Sequence, residues 1–359
     1  PGIGMSNVIR NAVESGTLEL TESTNFSMML RLHAGKLGVP FIPSPILSDG
    51  DLALTVSEIN AITCPVTDTD LQAHGSLNPD VAVVHAQRSD INGNVQLWGS
   101  IGDTVDGCEA SKKIICSVEE ICREDEISLT PHLTKLPAHK VVAVIKQPFG
   151  AYPSYLHSFY QRDEKYYADH SNNTKDALKT EEWLQSTIYN HNDFNSYLHS
   201  LPEDSISQAR AAFMASGEIF DCKTIFVGIG LPCLVAHITQ NYTSPNCHLV
   251  FESGLMEVMC KTQPLSTASA NIAKASKMHG SMLDVVSMLQ RGEIDVGLLS
   301  AAQIDVNGNL NSSKLNTKSG KTISLPGSGG AHDISVLANK VVVVMPSDPR
   351  RFVNNVDFI

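Results

Sequence analysis

Glu252 is the residue best placed to do chemistry. It ends the run His248 to Phe251 and is followed by Ser253 and Gly254. The run reads as a strand, so the carboxylate stands just past a strand's carboxyl end, where chemistry gathers in open α/β sheets. Small neighbours leave room for a substrate carbonyl, and glycine lets the backbone come close to a ligand. An ordinary glutamate, with a pKa of about 4.3, is ionised at neutral pH and so is placed to act as a nucleophile without a general base. Position alone leaves a second reading open, a strand-end carboxylate capping the following turn.

Attack on a carbonyl makes an oxyanion, which needs donors already in place. Residues 327–331, Gly-Ser-Gly-Gly-Ala, precede a helical pattern, HDISVLANK. Backbone N–H groups at such a place point at anions, although glycine count alone reads as a flexible loop. Gly228 and Gly230 follow the apolar TIFV and precede Pro232. They lack the third glycine and the acidic partner of a dinucleotide fingerprint, and read as a strand-to-helix turn near a ligand. Glu14-Ser15-Gly16 copies the letters around Glu252, but it follows the amphipathic NVIRNAV and reads as a helix end at Gly16. Glu22 lies three residues before Asn25, in ELTESTNF. By default it is an acidic charge favourable to a helix N-terminus, and Asn25 is a helix cap. The 13 histidines are scattered, with no HExxH or paired spacing, so no metal is expected.

The elements that must position these residues show an internal repeat. Residues 86–94 read AQRSDINGN and residues 302–309 read AQIDVNGN. Each follows an apolar strand, DVAVVH or DVGLLSA, and each is followed later by a Lys-led apolar strand, KKIICSV or KVVVVM. Asn-Gly is a strong hairpin signal, and two such turns in the same order point to duplication. Strands alternate with helices throughout, which argues for α/β layers with a mostly parallel sheet in each half. The second half opens on SISQARAAFMASGEI, an amphipathic helical pattern. The first half ends in a polar tail, 161–202, read as a linker or peripheral helices.

Composition narrows the function. At 359 residues the chain is long enough for two domains, each with its own core. A net charge of −12 argues against a general nucleic-acid binder. Eight cysteines without a CxxC pair read as buried reduced thiols of a cytoplasmic protein. No apolar run approaches the ~20 residues of a membrane span, so no membrane partner is expected. Pro1 at the start, and RFVNNVDFI stopping in an apparent strand, suggest a fragment of a longer protein.

These motifs, in order, resemble one family. VGIGLP, SPNCHLVFESG, SMLDVVSMLQRGEIDVGLLSAAQIDVNGNLNSS, PGSGGAHDI and RFVNNVDFI resemble the B-type half of family I coenzyme A transferases, closest to the glutaconate CoA-transferase branch. ELTESTNFSMMLRLHAGKLGVPFIP, VVHAQRSDINGNVQLWG, KKIICSVEEI and QPFGAYPS resemble the A-type half. The resemblance implies an A-type half over 1–202 and a B-type half over 203–359, as two similar α/β lobes of the CoA-transferase and sugar-phosphate isomerase-like fold. It lacks the family's βαβ stretch with a GGF-type loop before Pro1 and stops short of the usual B-type end.

The resemblance also implies roles. Glu252 would attack an acyl-CoA thioester and carry coenzyme A as a glutamyl thioester to a small, dicarboxylic, acid. Gly329, Gly330 and Ala331 would form the oxyanion hole near CoA, with Asn25 as a second donor. Glu22, Ser253, Gly254, Gly228 and Gly230 would line the substrate pocket. QPFGAYPS would form a structured turn near the site. A homo-oligomer is expected. An acyl-CoA or ring-opening hydrolase of the same fold, or a non-catalytic ligand-binding protein, are the competing readings.

Overall fold

The computed structural model describes residues 6–56, 58–174, 211–212, 214–259, 264, 266–317, 319–346 and 348–359. Two helices open the first lobe, α1 (Asn7–Glu14) and α2 (Asn25–Leu37). The first ends at Ser15, just before Gly16. The second starts at Thr24, whose side chain accepts the Ser27 N–H and so satisfies an orphan donor. Strands β1 (Phe41–Ser44), β2 (Ile59–Thr63) and β3 (Asp70–Gly75) then form an antiparallel sheet in the order β1-β3-β2. This sheet departs from the expected parallel layering. The connection from Cys64 to Thr69 is too short for the crossover that parallel strands need.

The main sheet of the first lobe holds β4 (Val81–Asp90), β5 (Val95–Gln96), β6 (Lys113–Cys122), β7 (Thr134–Leu136) and β8 (Val141–Lys146). Its order is β7-β5-β4-β6-β8, with β4, β6 and β8 parallel. Helix α3 (Thr104–Ala110) crosses over between β5 and β6 and buries Cys108 against Val84, Ala86 and Ile114. Two more helices follow, α4 (Glu124–Ser128) and α5 (Glu164–Asn173). The latter begins the polar tail. Residues 175–202, and the boundary between 202 and 203, lie outside the described residues.

The second lobe is a six-stranded sheet. Its strands are β9 (Thr224–Val227), β10 (His248–Phe251), β11 (Leu255–Met256), β12 (Met278–His279), β13 (Val296–Leu299) and, at one edge, β18 (Lys340–Val343). The order is β12-β11-β10-β9-β13-β18, and the last four are parallel. All four residues of β13 are buried, as a strand covered on both faces requires. Helix α6 (Leu231–Ile238) packs Val235 and Ala236 on one face, where Ile272 of α7 (Ala270–Ala275) joins them. Helices α8 (Met282–Gln290) and α9 (Ala331–Leu337) pack Val285, Val286 and Ile334 on the other. Hairpins β14 (Gln303–Ile304) with β15 (Leu310–Asn311), and β16 (Lys314–Asn316) with β17 (Thr322–Ser324), complete the lobe.

The repeat is structural. Val81 pairs with Lys113 and Val296 with Lys340, each in a parallel register. Asp90 accepts the N–H groups of Asn92 and Asn94 and the Asn94 amide. Asp305 does the same with Asn307 and Asn309. The AQ letters themselves are not equivalent. Arg88 stands opposite Gln96, and Gln303 opposite Asn311, so the first copy's extra residue shifts AQ by one place. The equivalence runs through the aspartates because strand pairing is fixed from the turn.

The lobes are joined by α2, whose Phe26 and Leu30, one turn apart, are buried in the second lobe's core. The joining bonds also repeat. The Asn25 N–H donates to Gly329 O at 3.0 Å, and the Met282 N–H donates to Gly102 O at 3.1 Å. Each links the first residue of one helix, α2 or α8, to the residue two places before another, α9 or α3. The end of the chain differs from expectation. RFVNNVDFI makes one bridge, Ile304 to Phe352, rather than a strand, because Asp357 turns its carboxylate and N–H to the Gln303 side chain.

Candidate active site

Strand β10 is held by its neighbours, with Leu249, Val250 and Phe251 buried. Its register pairs Val250 with Phe226. Carried on two steps, that register sets Glu252 level with Gly228, just past the ends of β9 and β10. The chain turns at once, the Gly254 N–H donating to Phe251 O at 3.1 Å. Ser253 is buried behind the carboxylate. Its hydroxyl donates to Thr267 O at 2.6 Å, and its carbonyl accepts Ser100 Oγ at 3.1 Å.

Two distant stretches meet at Glu252. Asn25, the first residue of α2, donates its amide to Glu252 Oε1 at 2.6 Å. The Gly330 backbone lies against the same carboxylate so closely that a Cβ there would collide with Oε1. A Cβ on Gly329 would stand 3.8 Å from the Asn25 amide nitrogen. Among the described residues, Gly329 and Gly330 donate to no other backbone group. Ala331 is different. Its N–H donates to Ser328 O at 2.8 Å, closing the turn before α9, and is not free to face an oxyanion as the sequence suggested. Glu22 lies beside Gly327, 3.2 Å from where its Cβ would be, and accepts Ser313 Oγ at 2.8 Å. Gly230 precedes α6 at the end of β9. Of the two equivalent helix starts, only α2 carries an amide; the matching residue of α8 is Met282.

Burial pushes the Glu252 carboxyl above the usual glutamate range, and the Asn25 amide pulls it partly back. Among the described residues of the Asn25 and Gly330 stretches, Ser23 Oγ, Ser328 Oγ, His332 Nε2 and Asp333 Oδ1 are buried without a partner, which is rare in native interiors. Sequence reasoning missed Asp333, which is fully buried. Its position three residues past Gly330 is where a capping acid is expected, so nothing in the letters set it apart.

A cavity of about 240 Å³ opens on the first-lobe side, lined among others by His85, Gln87, Ser100, Thr104, Ser154 and His157. Ala151 and Ser154 of QPFGAYPS form part of its wall. Through Ser100 it reaches the peptide that follows Glu252. Among the described residues no group of side chains could hold a metal ion, and no helix is long and apolar enough to cross a membrane.

The model of the coenzyme A transferase family matches residues 2–146 and 208–359, both lobes. This chain belongs to the coenzyme A transferase family. It is 34% identical to the A-type polypeptide of a 3-oxoadipate CoA-transferase from Pseudomonas knackmussii, over 56% of this chain and 72% of that one. It is 35% identical to the B-type polypeptide of the same enzyme, over 37% of this chain and 52% of that one. The A-type polypeptide of glutaconate CoA-transferase from Acidaminococcus fermentans is 26% identical, over 55% of this chain and 68% of that one. An acyl-CoA transferase from Escherichia coli O157:H7, solved as a thioester complex with CoA, superposes with a TM-score of 0.68 at 16% identity. That match covers 98% of this chain and 66% of the other, and shows the shared fold. One chain of the family thus carries A-type and B-type halves that these 3-oxoadipate and glutaconate relatives divide between two polypeptides.

Proposed function

We propose that this member of the family transfers coenzyme A from an acyl-CoA to a small carboxylic acid, with Glu252 as nucleophile. The observation that carries the reading is the 2.6 Å bond from the Asn25 amide to Glu252 Oε1, with the Gly330 backbone against the same carboxylate. Glu252 attacks the thioester carbonyl, the carbon–sulfur bond breaks, and CoA leaves as thiolate. The product is an acyl–glutamyl anhydride. The thiolate then attacks the glutamyl carbonyl, releasing the first acid and leaving a glutamyl–CoA thioester. An incoming carboxylate reverses both steps. The Asn25 amide and the N–H groups of Gly329 and Gly330 are the donors nearest the developing oxyanion. The amide also favours the ionised, attacking form of Glu252.

The cavity beside Ser253 is the proposed seat of the acyl chain. Its hydroxyl groups and the His157 imidazole suit a second carboxylate, and the named substrates of the relatives, 3-oxoadipate and glutaconate, are dicarboxylic. Glu22 supports a second reading, hydrolysis, because it places another carboxylate beside the Gly327 end of the same cleft. One experiment separates them. Acyl-CoA followed by borohydride should inactivate the wild type by reducing the thioester, and Glu252→Gln should be inert to this treatment while losing nearly all turnover. Steady CoA release without any acceptor acid would favour hydrolysis. Undiminished turnover in Glu252→Gln would remove the nucleophile.

A further inference from the structure

The duplication isolates one buried group that the proposed reaction does not use. Asp106 and Asp333 hold the same place, the third residue of the seven-residue helices α3 and α9. Asp106 has two basic partners on α2, Lys36 at 3.0 Å and His33 at 3.3 Å. Among the described residues, Asp333 has no such partner. It is fully buried, Oδ2 accepts the Phe26 N–H at 3.1 Å, and Oδ1 has no partner. Phe26 follows Asn25 in the first turn of α2, so this bond crosses between the lobes one residue from the amide that holds Glu252.

We propose that Asp333 is a positioning residue that holds the first turn of α2, and with it the Asn25 amide, on Glu252. This deepens the reading of Glu252 as nucleophile and rests on it. Asp333 does this as a neutral acid. An ionised carboxylate held by only the Phe26 N–H and the Thr24 hydroxyl, with Oδ1 empty, is costly in an apolar interior. The groups facing it supply no cation. The start of α2 presents the Thr24 side chain and the Phe26 N–H, and the end of β10 presents Glu252. Ile334, next in the chain, packs in a core with apolar residues of α8 and β13, among them Val285, Val286 and Leu299. His332, just before Asp333, is held neutral by burial. Burial, opposed by the Phe26 and Thr24 bonds and helped by the charge of Glu252, lifts the Asp333 carboxyl to about 8. Ionisation would put a second negative charge beside the nucleophile and raise the Glu252 pKa.

The test compares Asp333→Ala and Asp333→Asn in the full chain. Asp333→Ala should lower kcat by about a hundredfold with little change in KM for acyl-CoA, and the isosteric, always neutral Asp333→Asn should recover most of that loss. In the wild type kcat should fall as pH rises past about 8, and Asp333→Asn should lack this alkaline fall. A merely structural role would not move that limb. Unchanged kcat in Asp333→Ala, or the same alkaline fall in Asp333→Asn, would overturn the proposal. Amide exchange at Phe26 reads the same bond without turnover, and should speed up in Asp333→Ala. If it does while Glu252→Gln keeps its activity, the nucleophile assignment fails and the lobe-tying bond stands; unaltered exchange sinks the bond itself.

Discussion

At the scale of residues, Asn25 leaves the capping of α2 to Thr24 and turns its own side chain to the site. Its backbone N–H goes to Gly329 O and its side chain to Glu252, so it binds both other parts of the site. Removing one preorganised donor costs on the order of 3 kcal/mol of barrier. Asn25→Ala should therefore slow turnover by about a hundredfold with little loss of CoA affinity. The pH profile supplies a sign. The amide lowers the Glu252 pKa against the rise caused by burial. Without it the carboxyl rises further, and the acid limb of kcat/KM should move to higher pH in Asn25→Ala. An acid limb that stays put or moves down would mean the amide does not act on the ionised nucleophile. Asn25→Asp should be worse than Asn25→Ala at neutral pH, because two carboxylates within hydrogen-bond reach cannot both ionise.

At the scale of elements, α2 is the piece that ties the lobes together. It belongs to the first half in sequence, yet Phe26 and Leu30 pack in the core of the second lobe. Burial of two such side chains is worth roughly 4 kcal/mol in total, enough to fix a helix start. The duplicated turns give an independent check. Gly93 has φ 97° and Gly308 φ 83°, a region alanine enters with strain. A Cβ on Gly308 would meet nothing within 4 Å, whereas one on Gly93 would stand 3.1 Å from Val141 Cβ. Gly308→Ala should cost about 1 kcal/mol of backbone strain alone. Gly93→Ala should cost more, through the added crowding with β8. Thermal denaturation of both variants checks this; a larger loss at Gly308 would show that the two turns are not equivalent.

At the scale of the whole molecule, the site is built by one polypeptide. Glu252 comes from the B-type half and Asn25 from the A-type half, and they are bonded within the same chain. The 3-oxoadipate relatives place these halves on separate polypeptides. The full-length protein that carries this chain should therefore show borohydride-sensitive transferase activity without a second kind of polypeptide. Specific activity that rises only on adding another protein would contradict this. Light scattering on the same sample would test the expected homo-oligomer.

The sequence by itself determined the family, the duplicated turns, the strand that ends on Glu252 and the glycines near it. These are local matters: a buried strand needs an apolar run, a tight hairpin needs Asn-Gly, and a close backbone approach excludes a side chain. Tertiary structure decided the rest. The AQ letters suggested an equivalence that strand register shifts by one residue. Ala331 carried a donor in the motif, but the turn before α9 consumes its N–H. The antiparallel β1-β3-β2 sheet was hidden because short half-exposed strands carry a weak pattern. Asp333 was invisible because Asp106 sits at the same helical position with basic side chains in reach, and only the packing of α2 across the lobes leaves one of the two without them. Residue type sets what a group can do. Which partners it has is set by chains of contact between distant segments, and no spacing in the sequence encodes those.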